Sequence, residues 1–443
     1  MTPQPIPTLD GAVLAARTQR VGRVSSIVGL ALDVRGLLLV IGDIVQIGDD
    51  PVGPRDGALA EVVAVSGESA RLMPLTTLDG VGVGTQVRRL PHPAFVPIGT
   101  GLLGRVIDGM GRPIDGRGPL DADTRVGMYA PSPNAMERIR ISEPLQTGVR
   151  VLDTLTTFAR GQRMGLFAGS GVGKSSLLSM ITRGTDADVT VIALVGERGR
   201  EVREFIEDDL GPAGLARSVV VVATADEPAL MRRRAAFVAT RISESFRDAG
   251  RDVILMMDSL TRVAMAQREI GLSAGEPPAT RGYPPSTFST LAQLLERAGT
   301  GASGTVTGIY TVLVDGDDHN EPIADAARSM LDGHVVLRRE LAIAGHYPAV
   351  DTLASISRLA AKVNDKEHQR AASELRAVLA AHQAAKDLID VGAYQAGANP
   401  LVDRAIAHLG AIEDFLRQDS DEHTAADEAW SRLVALTTEI GRP

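Results

Sequence analysis

The chain has 443 residues, more than one ordinary domain holds, so two to four domains are expected. A composition of 44% hydrophobic and 23% charged residues fits a globular protein, and 3% aromatics leaves the cores to Ala, Val, Leu and Ile. The absence of cysteine excludes disulfides and thiolate metal sites and suits a reducing cytoplasm, and a net charge of −9 argues against a general nucleic-acid binder.

The first 19 residues form a tail in which Leu9, Val13 and Leu14 either build a short amphipathic helix or fray. The opening ten residues lack the basic-then-apolar pattern of a signal segment. Over 20–97, Val/Leu/Ile runs at 21–28, 37–45, 58–65 and 70–74 are separated by turns such as 48–54 and 66–69. Short strands at this spacing predict a small β-barrel or sandwich. Over 98–365 the apolar runs 164–167, 189–195, 218–222, 253–257 and 307–314 end in Gly or acidic residues and alternate with helical stretches. Runs without polar alternation fit strands buried on both faces of a parallel sheet. A helix is expected over 226–249, with Asp226 as N-cap and Pro228 in its first turn. Over 366–443 strand signals vanish, and helices are expected at 366–389, 401–417 and 424–440, with Gly392, Gly397 and Pro400 as breaks. No apolar run is long enough to span a bilayer, so any membrane contact is expected to be peripheral.

Four segments carry chemistry. The first, 165–178, follows an apolar strand and opens a helix expected at 175–182. Its residues Ala168, Gly169, Ser170, Gly171, Val172, Gly173, Lys174, Ser175 and Ser176 have the form of a phosphate-gripping P-loop, with Ala168 at a position usually held by glycine. Glycines let backbone N–H groups wrap phosphate oxygens at a helix N-terminus. Lys174 would reach the β- and γ-phosphates, and the Ser175 hydroxyl would hold Mg²⁺. The alternative is a Gly-rich strand–helix turn without a ligand.

The second, 253–258, is an apolar strand ending in Asp258. That carboxylate would bind Mg²⁺ through its waters or, alternatively, cap the next helix. The third, 191–200, places Glu197 at the end of a buried strand, where a carboxylate can polarise an attacking water, with Arg198 near the phosphates or a neighbouring subunit. The alternative is a helix-start acid beside a surface arginine. The fourth, 345–358, is by itself only a loop with turn-forming Pro348 and a terminal Arg358.

In this order and spacing the four segments resemble the catalytic subunits of the rotary ATPase superfamily. The run Pro-Ala-Val-Asp-Thr-Leu-Ala-Ser-Ile-Ser at 348–357 is similar to that superfamily's diagnostic segment. Segments 196–202, 257–269, 275–285 and 316–324 resemble the protein-export ATPases of type III secretion, and 387–394 is more similar to their flagellar branch than to the virulence injectisome branch. The resemblance implies an α/β fold: a P-loop NTPase (RecA-like) parallel-sheet core between an N-terminal β-barrel and a C-terminal helical domain.

It further implies ATP hydrolysis with Mg²⁺ at the subunit interfaces of a homohexamer that energises flagellar protein export. Arg358 matches an arginine finger reaching the next subunit's γ-phosphate. Tyr347 matches the aromatic that stacks on adenine, and Tyr394 falls near a second one, though it could equally be a core residue. The implied partners are export-gate membrane proteins, a stator-like regulator at the first residues, a stalk protein and chaperone–substrate complexes, without nucleic acid. Three other functions compete: an injectisome ATPase, a rotary synthase or ion-pump subunit, and a non-hydrolysing scaffold, which generally lacks the carboxylate found here at Glu197. An RNA translocase is disfavoured by the acidic charge and the aromatic-poor N-terminal region.

Overall fold

The computed structural model describes residues 20–48, 57–90, 95–314 and 321–441. The tail at 1–19, much of the turn at 48–54 and residues 316–320 of the export-ATPase segment lie outside them. The chain divides into two compact units, 1–94 with 270–276, and 95–269 with 277–443.

The first unit is a closed barrel of β1 (Val21–Val28), β2 (Ala31–Arg35), β3 (Ile44–Ile47), β4 (Ala58–Ser66), β5 (Ser69–Pro74) and β6 (Gln86–Arg89). The strands run in the order β1-β2-β5-β4-β3-β6 with every pair antiparallel. Closure leaves no free strand edge. No aromatic residue occurs between Arg20 and Leu90. The interior is therefore filled by smaller aliphatics, among them Val24, Leu32, Val34, Ile47, Val62 and Leu72.

The strand expected over 37–45 does not form. Leu38, Val40 and Ile41 are exposed, and β3 begins only at Ile44. Asp43 explains the difference: its carboxylate accepts the Val40 N–H at 2.9 Å, and its own N–H donates to Val40 O at 3.0 Å. This local turn outcompetes ladder pairing, and an apolar run alone does not reveal it.

In the second unit, the main path of a nine-stranded sheet runs Ile356–Ser357, Gly333–Val336, Arg163–Ala168, Thr305–Leu313, Asp252–Asp258, Val189–Glu197, Ser218–Thr224 and Val106–Asp108. All neighbours on this path are parallel except the first pair, which is antiparallel. The central strands are buried almost end to end, which is why their sequences lack alternation.

Helix Ala229–Asp248 covers this sheet, packing on four of its strands. It is not capped by Asp226 as expected. The Asp226 carboxylate instead accepts a hydrogen bond from Thr224, and Pro228, whose carbonyl takes the first helical bond from Arg232, is the N-cap. The C-terminal helices Lys366–Asp390 and Ala426–Ile440 share one apolar cluster with the sheet and the short helix Arg150–Leu155: Leu375, Val378, Trp430 and Leu433 join Leu152, Leu166 and Val335. The helix expected at 401–417 is two helices, Pro400–Ala407 and Leu409–Leu416. His408, at φ −111°, breaks the helical backbone between them. Among the described residues no helix is long and apolar enough to cross a membrane.

Candidate active site

Three strands deliver their polar ends to the same edge of the sheet, the carboxyl edge, where open α/β sheets bind ligands. Strand Arg163–Ala168 leads into the P-loop, and helix Lys174–Gly184 starts from Gly173. Gly173 has φ +87°, a left-handed backbone that any β-carbon would strain, and that atom would lie 3.2 Å from Tyr347 Cε1. No side chain caps this helix. Its first-turn N–H groups therefore remain available to phosphate oxygens. Ser170, Ser175 and Ser176 are exposed on this lip, while Ala168, Gly169 and Val172 are buried beneath it.

Lys174 Nζ lies 2.5 Å from Asp258 Oδ1 and 3.4 Å from Glu197 Oε1. All three side chains are largely buried, at 14%, 6% and 16% exposure. Sheet register produces this meeting. Met257 pairs with Tyr310, so Asp258 arrives beside Thr311, whose hydroxyl donates to Asp258 Oδ1 at 2.8 Å. Ser259, not Asp258, caps the following helix, accepting the Arg262 N–H on its Oγ at 3.3 Å. The Asp258 carboxylate is thus left free of that duty. The Glu197 strand carries an irregularity at Gly196, with φ +73°, where a β-carbon would press on Arg262 at 3.0 Å. That kink turns Glu197 toward Lys174.

Burial raises the Glu197 carboxyl above its ordinary 4.5, and the Asp258 carboxylate raises it further, only partly offset by Lys174. Burial acts to lower the Lys174 ammonium, but Asp258 and Glu197 together hold it above its usual value. A base acts only when deprotonated, so the raised pKa removes activity from the acid side first. The acid limb of kcat/KM should therefore inflect above pH 4.5. A pH–rate profile with its inflection at or below that value would contradict Glu197 as the group that titrates.

Tyr347 is half exposed with its ring against Gly173, where it could form one wall of a base site. Its loop is held by residues that sequence reading missed. Gln418 N donates to Tyr347 O at 2.9 Å, and the Gln418 side chain accepts from Arg150 N and donates to Gly148 O, each at 2.8 Å. Burial and the neighbouring Arg417, whose Nε donates to its Nδ1 at 3.4 Å, lower the pKa of His346 below the usual imidazole value. Tyr394 is placed differently. Its hydroxyl is committed to Asp403 Oδ1 at 3.0 Å and to the Asn399 backbone, in its own loop rather than at Gly173.

Two further expected residues also stand outside the cluster. Arg198 is 77% exposed at the start of helix Gly199–Glu204 and pairs with Glu201. Arg358 follows the antiparallel edge strand, in which Ser357 pairs with Gly333 and Gly333 in turn with Met164. It therefore leaves the sheet at the amino end, with its N–H bonded to Asp332 O and its side chain exposed. Four strand residues separate that level from Ala168, about 13 Å. Its Nη2 donates to Arg328 O at 3.4 Å, outside the Lys174–Glu197–Asp258 cluster.

Residues 148–357 match the ATP synthase alpha/beta family, nucleotide-binding domain, and residues 364–435 match the T3SS EscN ATPase C-terminal domain. The "flagellum-specific ATP synthase" of Pseudomonas aeruginosa is 51% identical over 94% of this chain and 92% of its own length. The "type 3 secretion system ATPase" of Xanthomonas euvesicatoria is 49% identical over 95% and 94%. The solved structure of the assembled ATPase EscN from enteropathogenic E. coli superposes with a TM-score of 0.89 at 42% identity, covering 94% of this chain and all of that one.

Proposed function

We propose that this chain, which belongs to the family of flagellum-specific ATP synthases and type 3 secretion system ATPases, hydrolyses ATP between the subunits of a homohexameric ring to energise flagellar protein export. The observation that carries the reading is the convergence of Lys174, Glu197 and Asp258 beside an uncapped helix N-terminus. Lys174 and the P-loop amides bind the triphosphate, Glu197 takes the proton of the attacking water, and Tyr347 seats the adenine. Tyr394 is a second candidate adenine contact and Arg198 a candidate interface residue. Arg358, at the far end of its own sheet, would serve the nucleotide of a neighbouring subunit.

The site fits Mg²⁺. Ser175 and Asp258 offer oxygen donors, and Lys174 already stands in for a cation against Asp258. Among the described residues no group of three His, Cys, Asp or Glu side chains is placed to hold a metal. Magnesium would then keep water and phosphate ligands, as it prefers, and neutralise charge on the phosphates.

The partners proposed by kinship are a central stalk protein, as EscN binds EscO, together with export-gate membrane proteins, a stator-like regulator and chaperone–substrate complexes at the inner face of the membrane. Relatives of both systems match at similar identity, so an injectisome role is the second reading. Flagellar rod, hook and export-gate genes beside the coding sequence would separate the two.

The purified chain should release phosphate from ATP with a specific activity that rises with protein concentration as rings assemble, and chelation of Mg²⁺ by EDTA should abolish release. Phosphate release independent of protein concentration, or undiminished in EDTA, would count against an interfacial Mg·ATP site.

A further inference from the structure

The backbone that presents Arg358 is gripped by an arginine from the C-terminal helix. Arg376 lies near the middle of helix Lys366–Asp390. Its Nη1 donates to Thr352 O at 2.5 Å, and its Nη2 donates to Ser355 O at 3.1 Å and to Leu155 O at 2.7 Å. Two of these carbonyls belong to the turn that precedes the edge strand Ile356–Ser357 and Arg358. Burial disfavours this cation, only partly countered by Asp351, so the carbonyl set bears most of the burden of holding it.

The turn is also braced from the sheet, where Val336 N donates to Ser355 Oγ at 3.0 Å and Arg338 pairs with Asp351 at 2.8 Å, and from within. Asp351 Oδ1 accepts the Leu353 and Ala354 N–H groups, and Ser355 Oγ donates to Asp351 O. On the helix side it is not packed solid. A cleft of about 350 Å³ separates it from the helix, lined by Thr154, Ser355, Ser357, Asn364, Ser373 and Arg376. The guanidinium bridges that cleft. Gln162, bonded to Ser357 Oγ at 3.1 Å, ties the same strand from the sheet side. Arg358 itself is exposed and bonds laterally to a backbone carbonyl, so its reach depends on where residues 355–357 are held.

We propose that Arg376 is a positioning residue for Arg358. It fixes the finger's backbone to the C-terminal helix, and through Arg358 it acts on the site of the adjacent subunit rather than on its own. The inference rests on the reading of Arg358 as a finger in trans.

The test is Arg376→Ala, with Arg376→Lys as a milder variant that keeps a cation and carries the same test if the alanine variant does not fold. Misplacement of a catalytic group by about 1 Å costs on the order of 100-fold. Arg376→Ala should therefore lower kcat by roughly ten- to 100-fold, with ATP binding changed less than about twofold. It should add almost nothing on an Arg358→Ala background. Mixed with Lys174→Ala subunits it should regain activity, because the Lys174→Ala copy supplies an intact finger to the Arg376→Ala copy's intact P-loop. Mixed with Arg358→Ala subunits it should not.

If Arg358→Ala is rescued by Lys174→Ala but Arg376→Ala is not, the positioning role is wrong while the finger stands. If neither is rescued in rings shown to contain both variants, the finger reading falls and takes this inference with it. A full additive loss in the double variant also overturns it.

Discussion

Arg358→Ala should lower kcat by about 10³–10⁵-fold, the range in which an arginine finger acts, while leaving Mg·ATP binding near wild type. The exposed side chain follows a strand whose pairing places it at the amino end of the sheet, the opposite edge from Lys174, and its Nη2 bonds to Arg328 O. Truncation removes no buried contact, so thermal stability should change little. Steady-state phosphate release and equilibrium binding of a fluorescent nucleotide, measured on the same preparation, check the split. A variant that loses binding as severely as turnover would place Arg358 in ground-state recognition instead. One that keeps turnover would remove it from the chemistry.

Glu197→Gln should lower kcat by about 10²–10⁴-fold, the usual contribution of a positioned general base, and ATP should still bind. The substitution keeps the size of the side chain and removes its charge. Two effects then oppose each other: Lys174 loses one of two partners, and Asp258 loses a like-charged neighbour. Because Asp258 keeps Lys174 at 2.5 Å and Thr311 at 2.8 Å, the fold around the P-loop should persist. A correspondingly slowed chemical step in single-turnover hydrolysis, with nucleotide still bound, would establish the base role. Near-wild-type turnover would reassign the base, and Asp258 would be the next residue to examine.

The parts of the site that were legible in the sequence are those written locally. The P-loop declares itself in consecutive residues, since glycine spacing, a lysine and a hydroxyl must occupy one strand-to-helix turn. Glu197 and Asp258 are legible because each ends an unbroken apolar strand, and the sheet brings both against Lys174. The helpers were not legible. Thr311 meets Asp258 only through register across two strands, and Gln418 reaches Tyr347 from 71 positions along the chain. Arg376 reads as one more charge on a long helix until its carbonyl partners are seen.

Arg358 illustrates the middle case. Nothing local distinguishes it from a structural arginine, and only the resemblance suggested a role. Its position at the far end of the sheet supplies the physical reason why that role would lie in another subunit. The failures at 37–45 and at Asp226 share one cause. In each a short polar side chain satisfied nearby backbone or side-chain groups, Asp43 at Val40 and Asp226 at Thr224, and so displaced the expected strand in one case and the expected helix cap in the other.

The account stands on hydrolysis in a seam made by two copies of the chain. Mixing inactive Arg358→Ala subunits with inactive Lys174→Ala subunits tests it most directly, because some interfaces in a mixed ring then pair an intact P-loop with an intact finger. The account predicts partial recovery of ATP turnover that peaks at intermediate mixing ratios. Rings shown to contain both variants yet releasing no more phosphate than either alone would contradict it.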